Sequence, residues 1–234
     1  MKKRSGRSVL VVAAHKDDEV LGCGGTIARH KAEGDSVGVV ILAEGITSRD
    51  TDRTGSEKVK TLVARLNAAA RRANSILGVR ELEIHSLPDN RMDGVDLLDV
   101  VKIVESAVKK FSPEIVYTHF AGDLNVDHMI THKAVVTACR PINDQAVRRI
   151  LSFEVPSSTE WQSVVQHPQF APNYFVDVSK YLKTKLDALK AYKSEMRAWP
   201  HPRSMQGVIH LAKWRGAVIS ADAAEAFMLV REIV

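Results

Sequence analysis

An unbroken apolar run, Val9-Leu10-Val11-Val12-Ala13-Ala14, gives way without a turn residue to His15-Lys16-Asp17-Asp18-Glu19. A run of this length, rich in β-branched side chains and without polar alternation, reads as a strand buried on both faces. Helical character follows from Asp18 or Glu19 through Lys31, ending near Gly34, and a second apolar, β-branched run covers Val37 to Leu42. Strand, helix and strand in this order make a βαβ unit, which demands a parallel pair with a crossover helix packed on it.

The alternation continues. Glu44 to Ser56 is polar and reads as a loop, a long helix runs from about Glu57 to Leu77 with Gly78 as its C-cap, and Glu81 to Leu87 is a strand ending in the turn Pro88-Asp89-Asn90-Arg91. A further helix covers Leu97 to Phe111, a strand begins at Ile115-Val116-Tyr117-Thr118, and another helix begins near Asp127. The expected fold class is α/β, a Rossmann-like three-layer αβα arrangement with a mostly parallel sheet. Beyond Pro141 the pattern loosens: Ile150 to Val155 and Asn173 to Val178 read as strands, Lys180 to Ala198 and Asp222 to Glu232 as helices, and Trp199 and Trp214 as core. No Gly/Ser-rich linker separates this half, so residues 1–234 are expected to form a single domain, with 1–140 as core βα units and 141–234 as an elaboration of it.

Composition narrows the function classes. With 45% hydrophobic and 26% charged residues the chain is that of an ordinary globular protein. The net charge of +5 has no focus beyond Lys2-Lys3-Arg4, so nucleic acid is not an expected partner. Met1 to Arg7 is basic like the start of a signal peptide, but the apolar segment behind it is too short, and no segment approaches the roughly 20 apolar residues of a membrane span. Cys23 and Cys139 are solitary, which suits a reducing cytoplasm.

In open α/β sheets ligands sit just beyond the carboxyl ends of the strands, where His15 to Glu19 falls. Tyr117-Thr118-His119 leads into Asp123-Leu124-Asn125-Val126-Asp127-His128 at the same sheet edge, so His128 can approach His15 and Asp18. Two histidines, a carboxylate and an open position are the usual layout of a catalytic zinc site. His132, four residues after His128, is a reserve ligand. A lone histidine after a strand is more often a polar cap, and an acidic run is often a solvated helix start; at two loops of one sheet edge these readings compound poorly. Gly22-Cys23-Gly24-Gly25-Thr26 lacks GxGxxG spacing and is read as close packing of a helix on the sheet rather than a phosphate cradle.

At these two motifs the chain resembles the PIG-L/LmbE family of zinc-dependent N-deacetylases. Its first motif, A-H-P-D-D-E followed by a glycine run, is met by Ala14-His15-Lys16-Asp17-Asp18-Glu19 and Gly22-Cys23-Gly24-Gly25. Its second, H-x-D-H, falls on Asn125-Val126-Asp127-His128, and the similarity extends to Gly45-Ile46-Thr47-Ser48-Arg49, Leu77-Gly78-Val79, Leu87-Pro88-Asp89-Asn90, Arg215-Gly216 and Ala224-Glu225-Ala226-Phe227. The resemblance implies His15, Asp18 and His128 as metal ligands, Asp17 as the base that deprotonates a water, and Asp127 as a residue orienting a neighbour. It implies zinc as the metal, with iron as the alternative, and a small N-acetylated amino sugar or its conjugate as substrate, with subunit association left open.

Two positions depart from the pattern. Lys16 replaces the usual proline, its ammonium free either to pair with an anionic substrate or to point to solvent. Asn125 stands where many members have a histidine; its amide can donate to an oxyanion but cannot act as a general acid, so protonation of the leaving amine falls to His119, His132 or His201. Arg49, His201 and Arg203 are expected substrate contacts, and Ser157-Ser158-Thr159-Glu160-Trp161 offers further polar and aromatic groups. Two other readings compete: a Rossmann-like nucleotide-binding transferase or oxidoreductase, and a metal-binding homologue without catalysis.

Overall fold

The computed structural model describes residues 6–49, 56–142, 146–165 and 168–234; most of Met1 to Arg7, part of Glu44 to Ser56 and the Arg49 side chain lie outside the described residues. The elements in chain order are β1 Ser8–Ala13, α1 Asp18–Ala32, β2 Ser36–Ala43, α2 Glu57–Leu77, β3 Glu81–Leu87, α3 Leu97–Phe111, β4 Ile115–His119, α4 Val126–Ala138, β5 Arg149–Phe153, β6 Tyr174–Asp177, α5 Leu182–Leu189, α6 Met205–Ala217 and β7 Ala224–Glu232. They build one seven-stranded sheet in the order β3-β2-β1-β4-β5-β7-β6. The first five strands in that order are parallel, while β7 runs antiparallel to both its neighbours. The α/β architecture expected from the alternation of apolar runs is the one found.

β1 shows why its sequence has no polar alternation. Val9 and Val11 enter a core shared with α1, α2 and α5, while Leu10 and Val12 enter the opposite core with α3 and α4. Each such side chain removed from water contributes about 1.5–3 kcal/mol, so a polar residue on either face would be costly. The glycine run behaves as packing. A Cβ on Gly22 would run into the Phe153 ring, and one on Gly25 would lie 2.8 Å from Val178 Cβ. α2 ends at Gly78 with φ 76°, a left-handed cap open to glycine at little cost.

Three expectations for the second half are corrected. Asp222 to Glu232 is not a helix: Ala224–Glu232 is a strand inserted between β5 and β6, where both of its edges find backbone partners. Its Ala, Glu, Met and Leu residues favour helix locally, and tertiary pairing overrides that preference. The helix expected over Lys180 to Ala198 is confined to Leu182–Leu189 and a 3-10 turn at Lys190–Tyr192, after which the chain bends to carry Glu195 towards the strand ends. Trp199 and Trp214 are 54% and 68% exposed and belong to no core. The helix α6 escapes the sequence reading because its buried stripe, Val208, Ala212 and Gly216, is narrow and made of small residues. Among the described residues no helix is long and apolar enough to cross a membrane.

Candidate metal centre and active site

The strand order reverses between β1 and β4, the point where open α/β sheets leave a crevice. The turn after β1 and the start of α1 supply His15, Lys16, Asp17 and Asp18, and the turn after β4 and the first turn of α4 supply Asp123, Asn125, Asp127 and His128. Three donor atoms converge there. His15 Nδ1 lies 3.2 Å from Asp18 Oδ2 and 3.3 Å from His128 Nε2, and His128 Nε2 lies 3.2 Å from the same Asp18 oxygen. With metal–ligand bonds of about 2.0–2.1 Å, a tetrahedral zinc site has edges of about 3.3–3.4 Å, so the triangle fits such an ion without rearrangement.

Each ring is held from behind by a carboxylate. His15 Nε2 lies 3.0 Å from Asp127 Oδ2, and His128 Nδ1 lies 3.1 Å from Asp123 Oδ1. Asp127 also accepts the backbone N–H groups of Asn90 at 2.7 Å and Met92 at 2.9 Å, which fix it under the turn after β3. Asp123 accepts the Thr159 hydroxyl at 2.5 Å, the Ser158 hydroxyl and the Asn125 N–H at 2.9 Å. Carboxylates placed behind the rings in this way are how proteins aim histidines that bind a metal. Asp123 was not singled out from sequence; its position in D-x-N-x-D-H was the available signal.

The electrostatics favour a cation. Burial works against a charged ring, yet Asp127 and Asp18 hold the His15 proton up to about 10, and Asp18 and Asp123 hold that of His128 up to about 9. Asp18 is buried, but His128 and His119 keep its carboxyl well below the usual range. Several buried carboxylates around two imidazoles leave negative charge that a divalent ion would neutralise, displacing the ring protons.

Asp17 has φ 116°, strained for a residue with a Cβ, and caps α1 while its carboxylate faces the cleft. Burial, and then Asp18, push its pKa up, with Arg203 opposing. Arg203 Nη1 donates to Asp17 Oδ2 at 3.0 Å, and its Nε donates to Ser157 Oγ at 2.8 Å. The cleft is lined by both histidines, Asp17, Asp18, Asp89, Asn90, Asn125, Ser157, Ser158, Glu195 and Arg203, a polar set suited to a hydroxylated ligand. Glu19 supports the helix start from below, buried, accepting from Tyr192 Oη at 2.6 Å and Asn74 Nδ2 at 2.8 Å.

The remaining candidates are placed as follows. Lys16 lies in the cleft wall, 2% exposed and with no ion pair among the described residues: it donates to the Ala43 and Glu44 carbonyls at 3.0 and 2.8 Å, and burial lowers its pKa to about 8. Asn125 caps α4 through its Oδ1, which accepts the Asp127 N–H at 2.9 Å, and gives one amide hydrogen to Asn90 Oδ1 at 2.7 Å. His119 accepts the Ala14 N–H at Nε2 and stacks on His128, ring centroids 3.9 Å apart. His132 Nδ1 donates to the His119 carbonyl at 2.9 Å and is not part of the ligand triangle. His201 does not line the cleft, and its Nδ1 accepts the Arg203 N–H at 3.0 Å. Arg49 closes a 3-10 turn after β2, its side chain outside the described residues.

The PIG-L family model, described as GlcNAc-PI de-N-acetylase, matches residues 10–139, more than half of the chain and both strand-end turns of the site. The uncharacterized deacetylase YaiS of Escherichia coli (strain K12) is 32% identical over 198 residues, spanning 82% of this chain and 92% of that protein. The solved N,N'-diacetylchitobiose deacetylase of Pyrococcus horikoshii superposes with a TM-score of 0.74 at 19% identity, covering 95% of this chain and 83% of that one. GalB, a 4-carboxy-2-hydroxymuconate hydratase from Pseudomonas putida KT2440, superposes equally well, with a TM-score of 0.74 at 21% identity over 97% and 98% of the two chains. The fold therefore carries more than one reaction, and the assignment of kinship comes from sequence. On the family match and the relative together, this chain belongs to the PIG-L family.

Proposed function

We propose that this protein is a metal-dependent hydrolase that removes the N-acetyl group from an N-acetylated amino sugar or its conjugate. The observation that carries the reading is the triangle of His15 Nδ1, Asp18 Oδ2 and His128 Nε2, with edges of 3.2–3.3 Å, beside the Asp17 carboxylate in a polar cleft. The family description and the deacetylase named among its relatives give the reaction class. Zinc is the metal we assign, with iron the alternative for the same donors. Bound there, it would supply a water acidic near neutral pH and polarise the acyl carbonyl.

The chain's own groups then divide the work. Asp17 takes the proton of the attacking water on its carboxylate and returns it to the departing amine, so that no separate acid is needed where Asn125 replaces a histidine. The second amide hydrogen of Asn125 is the donor for the developing oxyanion. Arg203 orients Asp17, while Arg49, in the turn after β2, is proposed as a substrate contact, and His201, which does not line the cleft, is proposed only as a support for the Arg203 backbone. Residues 1–234 act as one domain on a small-molecule substrate, and the two buried free thiols suit the cytoplasm.

The test is metal analysis of the purified protein followed by acetate release from N-acetylglucosamine compounds, including phosphorylated and nucleotide-linked ones, with zinc and with iron supplied anaerobically. Stoichiometric metal and metal-dependent acetate release are expected. A protein that binds metal tightly yet releases no acetate from any of them contradicts the reaction while sparing the site.

A further inference from the structure

α1 is two helices joined at a break. Cys23, with φ −146° and ψ 24°, leaves helical geometry in the middle of Asp18–Ala32, among Gly22, Gly24 and Gly25. A break in the hydrogen-bond ladder strands carbonyls on its N-terminal side and N–H groups on its C-terminal side, and in a buried helix each needs another partner. Here the partners come from two other elements. Glu225 of β7 accepts the Gly25 N–H on Oε1 at 2.9 Å and the Thr26 N–H on Oε2 at 2.7 Å. Lys185 of α5 donates to the Leu21 carbonyl at 2.8 Å and to Glu225 Oε1 at 2.6 Å. On the same side of the break Cys23 Sγ donates to the Glu19 carbonyl at 3.3 Å.

The pair is placed as helix electrostatics would ask. The carboxylate sits at the positive start of the second segment and the ammonium at the negative end of the first. Both residues are 4% exposed. A buried ion pair is often no more stabilising than apolar side chains of the same volume, so stability alone gives little reason for it. The broken ladder does give one, because apolar side chains cannot satisfy three stranded backbone groups.

We propose that Lys185 and Glu225 are positioning residues for the metal site. The first segment of α1 begins with Asp17 as its cap and Asp18 as its first residue, so its direction sets where both carboxylates point. The clamp fixes that direction relative to the second segment, which packs closely through Gly25 against Val178, the residue just past β6. The proposal rests on the reading of Asp17 and Asp18 given under the proposed function.

The experiment compares wild type, Glu225→Asp and the double variant Lys185→Met/Glu225→Leu by zinc titration, melting temperature and kcat. Glu225→Asp keeps the charge pair but is one methylene too short to span Gly25 and Thr26. It is expected to melt near wild type yet to bind zinc about tenfold more weakly, the scale on which outer-layer groups tune metal affinity. The double variant removes both charges, so no lone buried charge is left, but it strands the Leu21 carbonyl and the Gly25 and Thr26 N–H groups; it is expected to melt below wild type and, assayed at a temperature where it is folded, to lose affinity and kcat. Wild-type zinc affinity and kcat in either folded variant overturn the proposal and leave the metal site standing. A wild-type protein that binds no zinc overturns both, and the wild-type titration alone reveals it.

Discussion

Arg203 Nη1 and Asp17 Oδ2 lie 3.0 Å apart across 186 residues of sequence, so a loop late in the chain reaches back to the turn after β1. The sequence makes Arg203 an expected substrate contact; it lines the cleft, and its guanidinium donates to both Asp17 and Ser157, which adds a role in aiming Asp17. The distinction is kinetic. A group that binds substrate alone raises KM when lost, whereas one that aims the base lowers kcat. Arg203→Gln is expected to lower kcat by about tenfold or more at unchanged metal content and nearly unchanged KM, read from steady-state kinetics and metal analysis. A rise in KM with kcat intact would return Arg203 to substrate binding.

The role proposed for Asp17 and that proposed for His15, Asp18 and His128 are separable by mutation. Asp17→Asn leaves the ligand triangle in place and removes the proton acceptor, so metal content is expected to hold while turnover falls by about 10²–10⁴-fold. Loss of metal from this variant would show Asp17 to be a ligand rather than a base.

The carboxylates behind the rings make a graded prediction. Asp127→Asn and Asp123→Asn keep the shape but remove the charge facing His15 Nε2 and His128 Nδ1. Zinc affinity is expected to fall by about 10–100-fold in each, measured by competition with a chelating dye. Unchanged affinity in both would mean that the two acids serve only the turns that they bridge.

Far from the cleft, His30 lies 2.6 Å from Asp35 Oδ2 through Nδ1 and 2.9 Å from the Tyr117 hydroxyl through Nε2. Burial lowers its pKa below 6.5 despite Asp35, so the folded protein holds it neutral while the unfolded chain takes a proton first. Its contribution to stability is complete above pH 6.5 and is lost as pH falls through the folded value. The drop in melting temperature between pH 7 and pH 5 is expected to be smaller in His30→Gln than in wild type. An equal or larger drop in the variant would contradict this.

Much of this was legible in the sequence for a physical reason. β1 to β4 and the helices between them are strongly patterned, and α2 is capped at both ends, so α2, β3 and α3 fall where the apolar spacing and Gly78 place them. The ligand triangle was legible because two strand ends of a parallel sheet face one edge. In the second half β5 and β6 were legible as apolar runs, but β7 was not, being a strand by its neighbours rather than by its own residues, nor was α6, which buries only a small-residue stripe. The Arg203–Asp17 pair and the Lys185–Glu225 clamp are long-range contacts that leave no local periodicity. Lys16 shows the same limit: its charge is spent on the Ala43 and Glu44 carbonyls, which no spacing rule reveals.

The most direct test of the central claim is acetate release measured on one preparation before chelation, after chelation and after zinc is restored, alongside His128→Ala. The account predicts stoichiometric zinc in the wild-type protein, release that vanishes on chelation and returns with zinc, and neither zinc nor release in the variant. Acetate release at the original rate from the metal-free protein would contradict it.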